Sequence, residues 1–422
     1  MTSSIPYTIK WGIMATGWIA ETFCKDLLTD PAARDVHDVR HEIVAVSSST
    51  SAERAAALIK KIDGPASAST YGSYAELVAD ARVDVVYVAT PHSHHFQNAM
   101  LALDAGKNVL CEKALTVTAA QARKLVAKAQ EKKVFLMEAV WTRFFPLSIK
   151  VRELIASGEI GTVYRTMGGW AVPSFSLVHQ FIMADLSFNE TTDEDDGRVG
   201  FPDSHRMVNK DLAGGALLDL GIYALTWVFQ TLYHVQPSSS SSSSSSSGKE
   251  SPTVLAAMNK YHTGADENTS IICHFPRSRS IGVATTSMLV GTSPHGKTTA
   301  APAIRIQGSR GEIQVPHPAF RPTSYSVIMR GGDGAVEVVE CPIPTDPKRD
   351  SWGHGMFWEA DECARCLRDG KKQSATLPWE ESIAIMETME AALRQGGVEY
   401  PEHITTDVYD AKSPLNTGNQ SM

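Results

Sequence analysis

Basic charge is in short supply in this chain: 39 Lys and Arg stand against 47 Asp and Glu, a formal net charge of −8 over 422 residues. That balance argues against the basic face by which a protein neutralises nucleic-acid phosphates, and it suits a soluble protein. Long apolar runs are missing too. No run approaches the ~20 apolar residues that span a bilayer. Met1 to Lys10 has neither the basic start nor the long apolar core of a secretion signal. The expectation is a cytoplasmic protein with no membrane and no nucleic-acid partner. Cysteine is sparse: six residues, at 24, 111, 273, 341, 363 and 366, read as reduced thiols in a chain of this size. The glycosylation patterns at Asn189-Glu190-Thr191 and Asn268-Thr269-Ser270 then read as chance matches.

What is present is 43% hydrophobic residues, enough to bury a substantial core, in a length that suits two domains. The first third alternates short apolar runs with helical stretches. Strands are expected at Ile9 to Met14, Glu42 to Ser47, Val83 to Ala89, Asn108 to Cys111 and Val134 to Glu138. Helices are expected at Trp18 to Leu28, Ala52 to Lys61, Phe96 to Ala105 and Ala119 to Lys132. Such alternation implies βαβ units and a parallel sheet.

The rhythm changes after about Phe145. A helix at Leu147 to Ser157 and a strand at Thr162 to Trp170 precede a long helix from about Leu212 to Leu232. Short alternating segments follow between Thr253 and Glu340, with Gly- and Pro-containing turns, and read as a mostly antiparallel sheet. Two late helices, Met356 to Arg368 and Trp379 to Arg394, end before Gly370 and Gly396. The fold class is α/β: a Rossmann domain over 1–145, then an α+β domain over 146–400 with a large open-faced sheet, then a tail over 401–422. The ten serines from Ser238 to Ser247, with Gly248, read as a flexible loop. The acidic Glu190 to Gly197 reads as an exposed excursion.

The first strand runs into Ala15-Thr16-Gly17-Trp18-Ile19-Ala20, a Rossmann turn with its first Gly replaced by Ala15. Gly17 stands where backbone approaches a pyrophosphate, and Ala20 is the small residue that lets helix and strand pack. The helix N-terminus supplies amide donors to phosphate. A ligand-free strand–helix turn fits so degenerate a match equally well. The second strand ends Val46-Ser47-Ser48-Ser49-Thr50-Ser51, with no carboxylate before Glu53. An NAD site commonly has one there for the ribose hydroxyls. Ser48, Ser49 and Arg54 suit a 2′-phosphate instead, so NADP is favoured; Arg54 as a plain solvated helix residue carries nearly equal weight.

Three stretches make the reading specific: Val88-Ala89-Thr90-Pro91-His92-Ser93-His94-His95, Ala105-Gly106-Lys107-Asn108-Val109-Leu110-Cys111-Glu112-Lys113, and Met137-Glu138-Ala139-Val140-Trp141-Thr142-Arg143-Phe144-Phe145-Pro146. Together with Gly214-Gly215-Ala216-Leu217-Leu218-Asp219-Leu220-Gly221-Ile222-Tyr223, they resemble the Gfo/Idh/MocA oxidoreductase family. The resemblance covers nearly the whole chain and points to the branch of dimeric dihydrodiol dehydrogenases and NADP-dependent D-xylose dehydrogenases. The family's Glu-Lys-Pro motif falls on Glu112-Lys113-Ala114, with Ala in place of Pro. Its Thr-Pro loop against the cofactor falls on Thr90-Pro91, followed by His92 and His95. Some branches carry His where this chain has Tyr223.

The resemblance implies hydride transfer to NADP from an aldose at C1, D-xylose for preference, giving the lactone. Lys113, Tyr223 and Asp219 are the implied catalytic group. A phenol of pKa near ~10 is a poor base at neutral pH, and an ammonium beside it favours phenolate. Asp219 lies four residues before Tyr223, on the same helix face. Other readings stay open residue by residue. Trp141 stacks on sugar or cofactor, or packs in the core. Arg143 meets cofactor phosphate or fixes the domain junction, or forms a surface ion pair. Asp203 and His205 rim the substrate site in one reading only. His92, His94 and His95 suit a cofactor loop better than a metal, for want of partnering carboxylates. Cys363 and Cys366, a single CxxC pair, suit packing. No metal is expected. A homodimer through the C-terminal sheet is expected, since an uncovered apolar face invites a partner. The alternatives are oxidation of trans-dihydrodiols on the same scaffold and a non-catalytic NADP-binding sensor.

Overall fold

The computed structural model describes residues 5–171, 201–237, 248–289, 302–332 and 336–417. The expected excursion at 190–197 and the serine run at 238–247 lie outside them. The chain divides into two compact units. One comprises 1–144, 343–383 and 402–422; the other comprises 145–342 and 384–401.

The first unit is built on six parallel strands: β1 (Tyr7–Met14), β2 (Val39–Ser47), β3 (Ser69–Tyr71), β4 (Val85–Val88), β5 (Asn108–Glu112) and β6 (Leu136–Ala139). Helices α1 (Trp18–Leu27), α2 (Ala52–Lys61), α3 (Tyr74–Ala79), α4 (His95–Asp104) and α5 (Ala119–Lys132) return the chain between them. Every residue of β4 and β6 is buried, which is why these strands read as unbroken apolar runs. Side chains start the helices where the sequence offers caps: Ser51 for α2, Ser73 for α3, and Thr118 with Gln121 in a capping box for α5. The strand order is β3-β2-β1-β4-β5-β6. It reverses between β1 and β4, and open sheets of this order bind ligands outside the carboxyl ends of the strands at that switch. The chain thus has the Rossmann sheet that its alternation predicts. β3 and α3 were not foreseen: three half-buried residues and one and a half helical turns are too short for a period to show.

Buried polar groups tie the later segments of this unit to its start. Asp26 in α1 is fully buried and accepts five N–H groups, from the Trp352 ring and from the backbone of His354, Gly355, Met356 and Phe357, at 2.6–3.2 Å. These residues lead into α8 (Phe357–Arg368). From α8, Asp361 takes Arg34 in a two-pronged pair at 2.8 and 2.9 Å and also meets His41 Nε2 at 2.9 Å. His41 Nδ1 accepts the Trp11 ring N–H at 3.1 Å, so Nε2 carries the proton of a neutral ring. Burial lowers the His41 pKa and favours that form. The tail holds α10 (Glu402–Thr405) and α11 (Pro414–Thr417). Gln121 donates to the carbonyls of Ile404 and Thr406, and Asn98 to that of Leu415, at 2.8–2.9 Å.

The second unit opens with α6 (Pro146–Ala156) and β7 (Val163–Ala171). Its central helix α7 (Ile222–Val228) is flanked by wider π turns at Leu217–Gly221 and Phe229–Tyr233. The other strands are β8 (Thr253–Lys260), β9 (Asp266–Phe275), β10 (Ser280–Ser287), β11 (Ile304–Gly308), β12 (Gly311–Val315), β13 (Ser324–Met329) and β14 (Glu337–Glu340). Among the described residues they form one eight-stranded sheet in the order β14-β13-β12-β11-β7-β10-β9-β8. All pairs are antiparallel except β7 with β10. Helix α9 (Trp379–Gln395) belongs to this unit from Ala384 onward.

The helical stretch Lys210–Tyr233 is long and apolar enough by composition to cross a membrane. That departs from the expectation that no such stretch exists. Most of it is buried, with α7 packed on β7 and β10, which accounts for its apolar character as a core helix.

The Arg34–Asp361–His41 group yields a direct stability test. Removing the shared carboxylate leaves a buried guanidinium uncompensated, which costs about 3–5 kcal/mol. Asp361→Ala should therefore unfold at lower urea with a loss of that size; a loss below ~1 kcal/mol, the range of exposed pairs, would refute the role given to the group.

Candidate active site

At the carboxyl end of β1 the chain turns through Ala15, Thr16 and Gly17 into α1. Ala15 has φ 96°, a left-handed conformation that Gly adopts without steric cost. It is the position where the dinucleotide-binding turn ordinarily has its first Gly. Gly17 is the N-cap of α1 and offers no side-chain cap to the first-turn amides of Trp18 and Ile19, and a Cβ built on it would meet nothing within 4 Å. A helix start without a side-chain cap, beside open space, is what a phosphate requires. Beyond β2, the Ser48 and Thr50 hydroxyls lie 3.1 Å apart. Ser49 hydrogen-bonds Tyr74, whose hydroxyl also feels the charge of Arg54. Tyr74 was not singled out in the sequence; only the fold brings α3 beside the end of β2.

Beyond β4, Thr90 is buried and its hydroxyl has no hydrogen-bond partner among the described residues. Pro91 is exposed and His92 half-buried, the latter set edge-on to His95 at 5.5 Å. His95 is fully buried. Its Nε2 lies 2.9 Å from the Thr90 carbonyl and its Nδ1 2.8 Å from the Ala114 carbonyl. Both nitrogens are engaged by backbone, so His95 clamps the Thr90 loop to the turn after β5 instead of facing a ligand. Burial pushes its pKa down to about 4.

That second turn carries Lys113, which is half-buried. Its backbone N–H donates to Glu112 Oε2 at 3.2 Å, and the Leu115 N–H donates to Glu138 Oε1 at 2.9 Å. Glu112 also receives the Tyr87 hydroxyl. Burial pushes the Glu138 carboxyl up to about 7.

Trp141 stacks on the His354 ring at 4.7 Å with the planes 5° apart, and Trp18 meets the same ring edge-on at 6.2 Å. His354 is a member of this cluster that sequence reasoning missed, 328 residues from the Asp26 that holds its backbone. Arg143, read as a phosphate or junction residue or a surface pair, is fully buried. It pairs with Glu381 at 2.7 Å and donates from Nε to the Thr376 carbonyl at 2.9 Å. It therefore belongs to the interior of the first unit.

In the second unit, Asp219 stands in the π turn and Tyr223 in α7, one helical turn apart. Asp219 is mostly buried and pairs with the exposed Arg206 at 3.3 Å. Tyr223 is half-buried beside the Phe320 ring at 5.8 Å. Asp203 is an exposed partner of His262 at 2.6 Å, and the His205 ring stacks on Phe201 at 4.8 Å.

The dinucleotide implied by the family resemblance fits the switch-point end of the first sheet. The Gly17 gap leaves room for phosphate, and the orphaned Thr90 hydroxyl supplies an uncommitted polar atom in the loop across from it.

Comparison with known proteins bears on the same residues. Residues 9–140 match the model of the Gfo/Idh/MocA oxidoreductase family, NAD-binding Rossmann fold. The chain is 66% identical over 420 residues to D-xylose 1-dehydrogenase (NADP(+)) of Hypocrea jecorina, covering 100% of both chains. It is 34% identical over 393 residues to trans-1,2-dihydrobenzene-1,2-diol dehydrogenase of Xenopus laevis, covering 93% of this chain and 99% of that one. Among solved structures, a 3-ketoreductase from Actinomadura kijaniata with NADP and TDP-benzene shares the fold. Its TM-score is 0.64 at 20% identity, over 92% of this chain and 98% of that one. End-to-end identity at this level places the sequence: the chain belongs to the Gfo/Idh/MocA oxidoreductase family, with NADP-dependent D-xylose dehydrogenase and the dihydrodiol dehydrogenases as its relatives.

Proposed function

We propose that this protein is an NADP-dependent aldose dehydrogenase that oxidises D-xylose at C1 to the lactone. The observation that carries this reading is the 66% identity, over the whole of both chains, with D-xylose 1-dehydrogenase (NADP(+)). NADP, when bound, supplies the hydride acceptor. The chain's own residues do the rest. Gly17 and the first amides of α1 receive phosphate, and Ser48, Ser49 and Arg54 receive the 2′-phosphate. Thr90, Pro91 and His92 line the nicotinamide side with Trp141. Tyr223 takes the proton of the C1 hydroxyl, Lys113 favours its phenolate, and Asp219 orients Tyr223 or holds a sugar hydroxyl. Oxidation of trans-dihydrodiols is the second reading, favoured by relatives of that activity at 30–34% identity. Assaying a panel of aldoses and diols for NADPH formation separates the two.

The six cysteines are free thiols and five are buried, which suits a reducing cytoplasm. A homodimer forms through the open face of the second sheet. Leu255, Ile272, Val283 and Met167 stand in one cross-strand row. Leu255 is 58% exposed and Ile272 41% exposed on the face opposite the buried Ile271 and Cys273. Covering such a row removes apolar area from water. Light scattering at micromolar concentration should give twice the chain mass; a monomer would count decisively against the dimer.

The 2′-phosphate residues set cofactor choice. Calorimetric titration should show NADP binding far more tightly than NAD, and equal affinities would sink the assignment.

The chemistry rests on Tyr223 and Lys113 acting as one unit. Tyr223→Phe removes the proton acceptor and keeps the shape, so turnover should fall by about two orders of magnitude with cofactor affinity unchanged. Lys113→Met should also lose turnover, and the double variant should match the worse single one, because both changes disable the same step. If both residues only pack, stability falls while turnover per folded molecule survives. A folded Tyr223→Phe protein with near-normal turnover refutes the assignment.

A further inference from the structure

Asp266, at the start of β9, is fully buried and has no part in the chemistry above. Its Oδ2 accepts the Leu217 N–H at 2.7 Å and the Thr269 hydroxyl at 2.9 Å. Leu217 opens the π turn that holds Asp219 and leads into the helix of Tyr223, and Ala216 before it gives no side-chain cap. The amide is therefore capped from a strand 49 residues further on. A carboxylate at this place makes a charge-assisted bond and opposes the positive end of the helix dipole. The other oxygen, Oδ1, has no hydrogen-bond partner among the described residues. It lies against Gly215, at φ 143°, where an added Cβ would overlap it and come within 3.2 Å of the Tyr400 hydroxyl. That hydroxyl donates to the Gly214 carbonyl at 2.8 Å, and Thr286 donates to the Ala216 carbonyl at 3.4 Å. Side chains from three separate parts of the unit grip the four residues that enter the helix.

We propose that Asp266 is a positioning residue for the reaction: by holding residues 214–217 it fixes where Asp219 and Tyr223 stand. The proposal rests on the reading that those two residues act on substrate.

Protonation of the cap gives the proposal its signature. Burial pushes the Asp266 carboxyl up to about 6, against the pull of Thr269 and Leu217. Tyr400 meets it from the chain after α9, Glu267 neighbours it on its own strand, and Lys210 lies against Gly264 just before that strand. As pH falls through about 6 the carboxylate gains a proton, the charge on the cap is lost, and the Leu217 bond weakens. Turnover declines over the same limb.

The test is kcat and KM against pH for the full-length enzyme with D-xylose and NADP, comparing wild type, Asp266→Asn, Thr269→Val and Tyr223→Phe. Asp266→Asn keeps an acceptor but no charge. Its kcat should fall about tenfold at neutral pH, the scale separating charge-assisted from neutral hydrogen bonds. Its acid limb near pH 6 should flatten, and NADP affinity should hold. Thr269→Val removes a bond to the charged form, so its acid limb should move to higher pH. Should Asp266→Asn fail to fold, Thr269→Val alone decides. Wild-type kcat in folded Asp266→Asn, or an unmoved limb in Thr269→Val, overturns the positioning role while a dead Tyr223→Phe leaves the parent reading standing. Normal turnover in Tyr223→Phe overturns both.

Discussion

The Asp26 carboxylate is the constraint on which the first unit turns. Five N–H groups point at it from residues 352–357, four of them from the backbone. Burial pushes its pKa up to about 6 against the pull of those donors. Acid and loop are mutually dependent: without the acid, buried amides at the head of α8 lose their partner, and an unmet buried donor costs about 1–3 kcal/mol. The loop in turn carries His354, whose ring contacts both Trp141 and Trp18. Trp18 is the first residue of α1, directly after the turn of Ala15, Thr16 and Gly17. A carboxylate at the far end of α1 thereby shapes the aromatic surface at its beginning.

Buried polar groups in this molecule are matched to different degrees. Arg143 with Glu381, and Arg34 with Asp361 and His41, are charges matched by opposite charge and hydrogen bonds within the interior. Such pairs are weak evidence for net stability, since their electrostatic gain mainly offsets desolvation. The Thr90 hydroxyl and Asp266 Oδ1 are buried and left without a hydrogen-bond partner. Natural folds leave few groups in that state. They are two of several such atoms among the described residues: the first stands at the carboxyl end of β4, where the sheet order reverses, and the second beneath the entry to the helix of Tyr223.

The Rossmann sheet was legible because its signals are local: apolar runs of strand length alternating with helical stretches, and a turn containing Gly17 between β1 and α1. The mostly antiparallel second sheet was legible from alternation, as in β9, where Thr269, Ile271, Cys273 and Phe275 are buried between exposed neighbours. The partners of single side chains were not legible. Arg143 finds Glu381, Trp141 finds His354, and Asp266 finds Leu217 through tertiary packing, and nothing within a few residues of any of them announces it. The same holds for residues 343–383, whose attachment to the first unit runs through Asp26, Arg34 and His41. Motif recognition located Lys113 and Tyr223 as candidates, but motifs carry no record of what steadies them.

His95 shows why that distinction matters chemically. A neutral imidazole has one N–H, yet this ring faces two carbonyl oxygens, of Thr90 and Ala114. Burial pushes its pKa down to about 4, so at neutral pH one link is a donated hydrogen bond and the other is a contact between lone pairs. Adding a proton would satisfy both carbonyls and would place a cation in the interior beside the Lys113 turn, whose charge opposes it. The ring is therefore held neutral by its surroundings while its geometry favours the doubly donating form. In the neutral ring one donated hydrogen bond ties His95 to one of the two segments, and packing holds it against the other. The loop of Thr90 and the turn of Lys113 are thus linked through one buried ring, so a displacement of either is passed to the other.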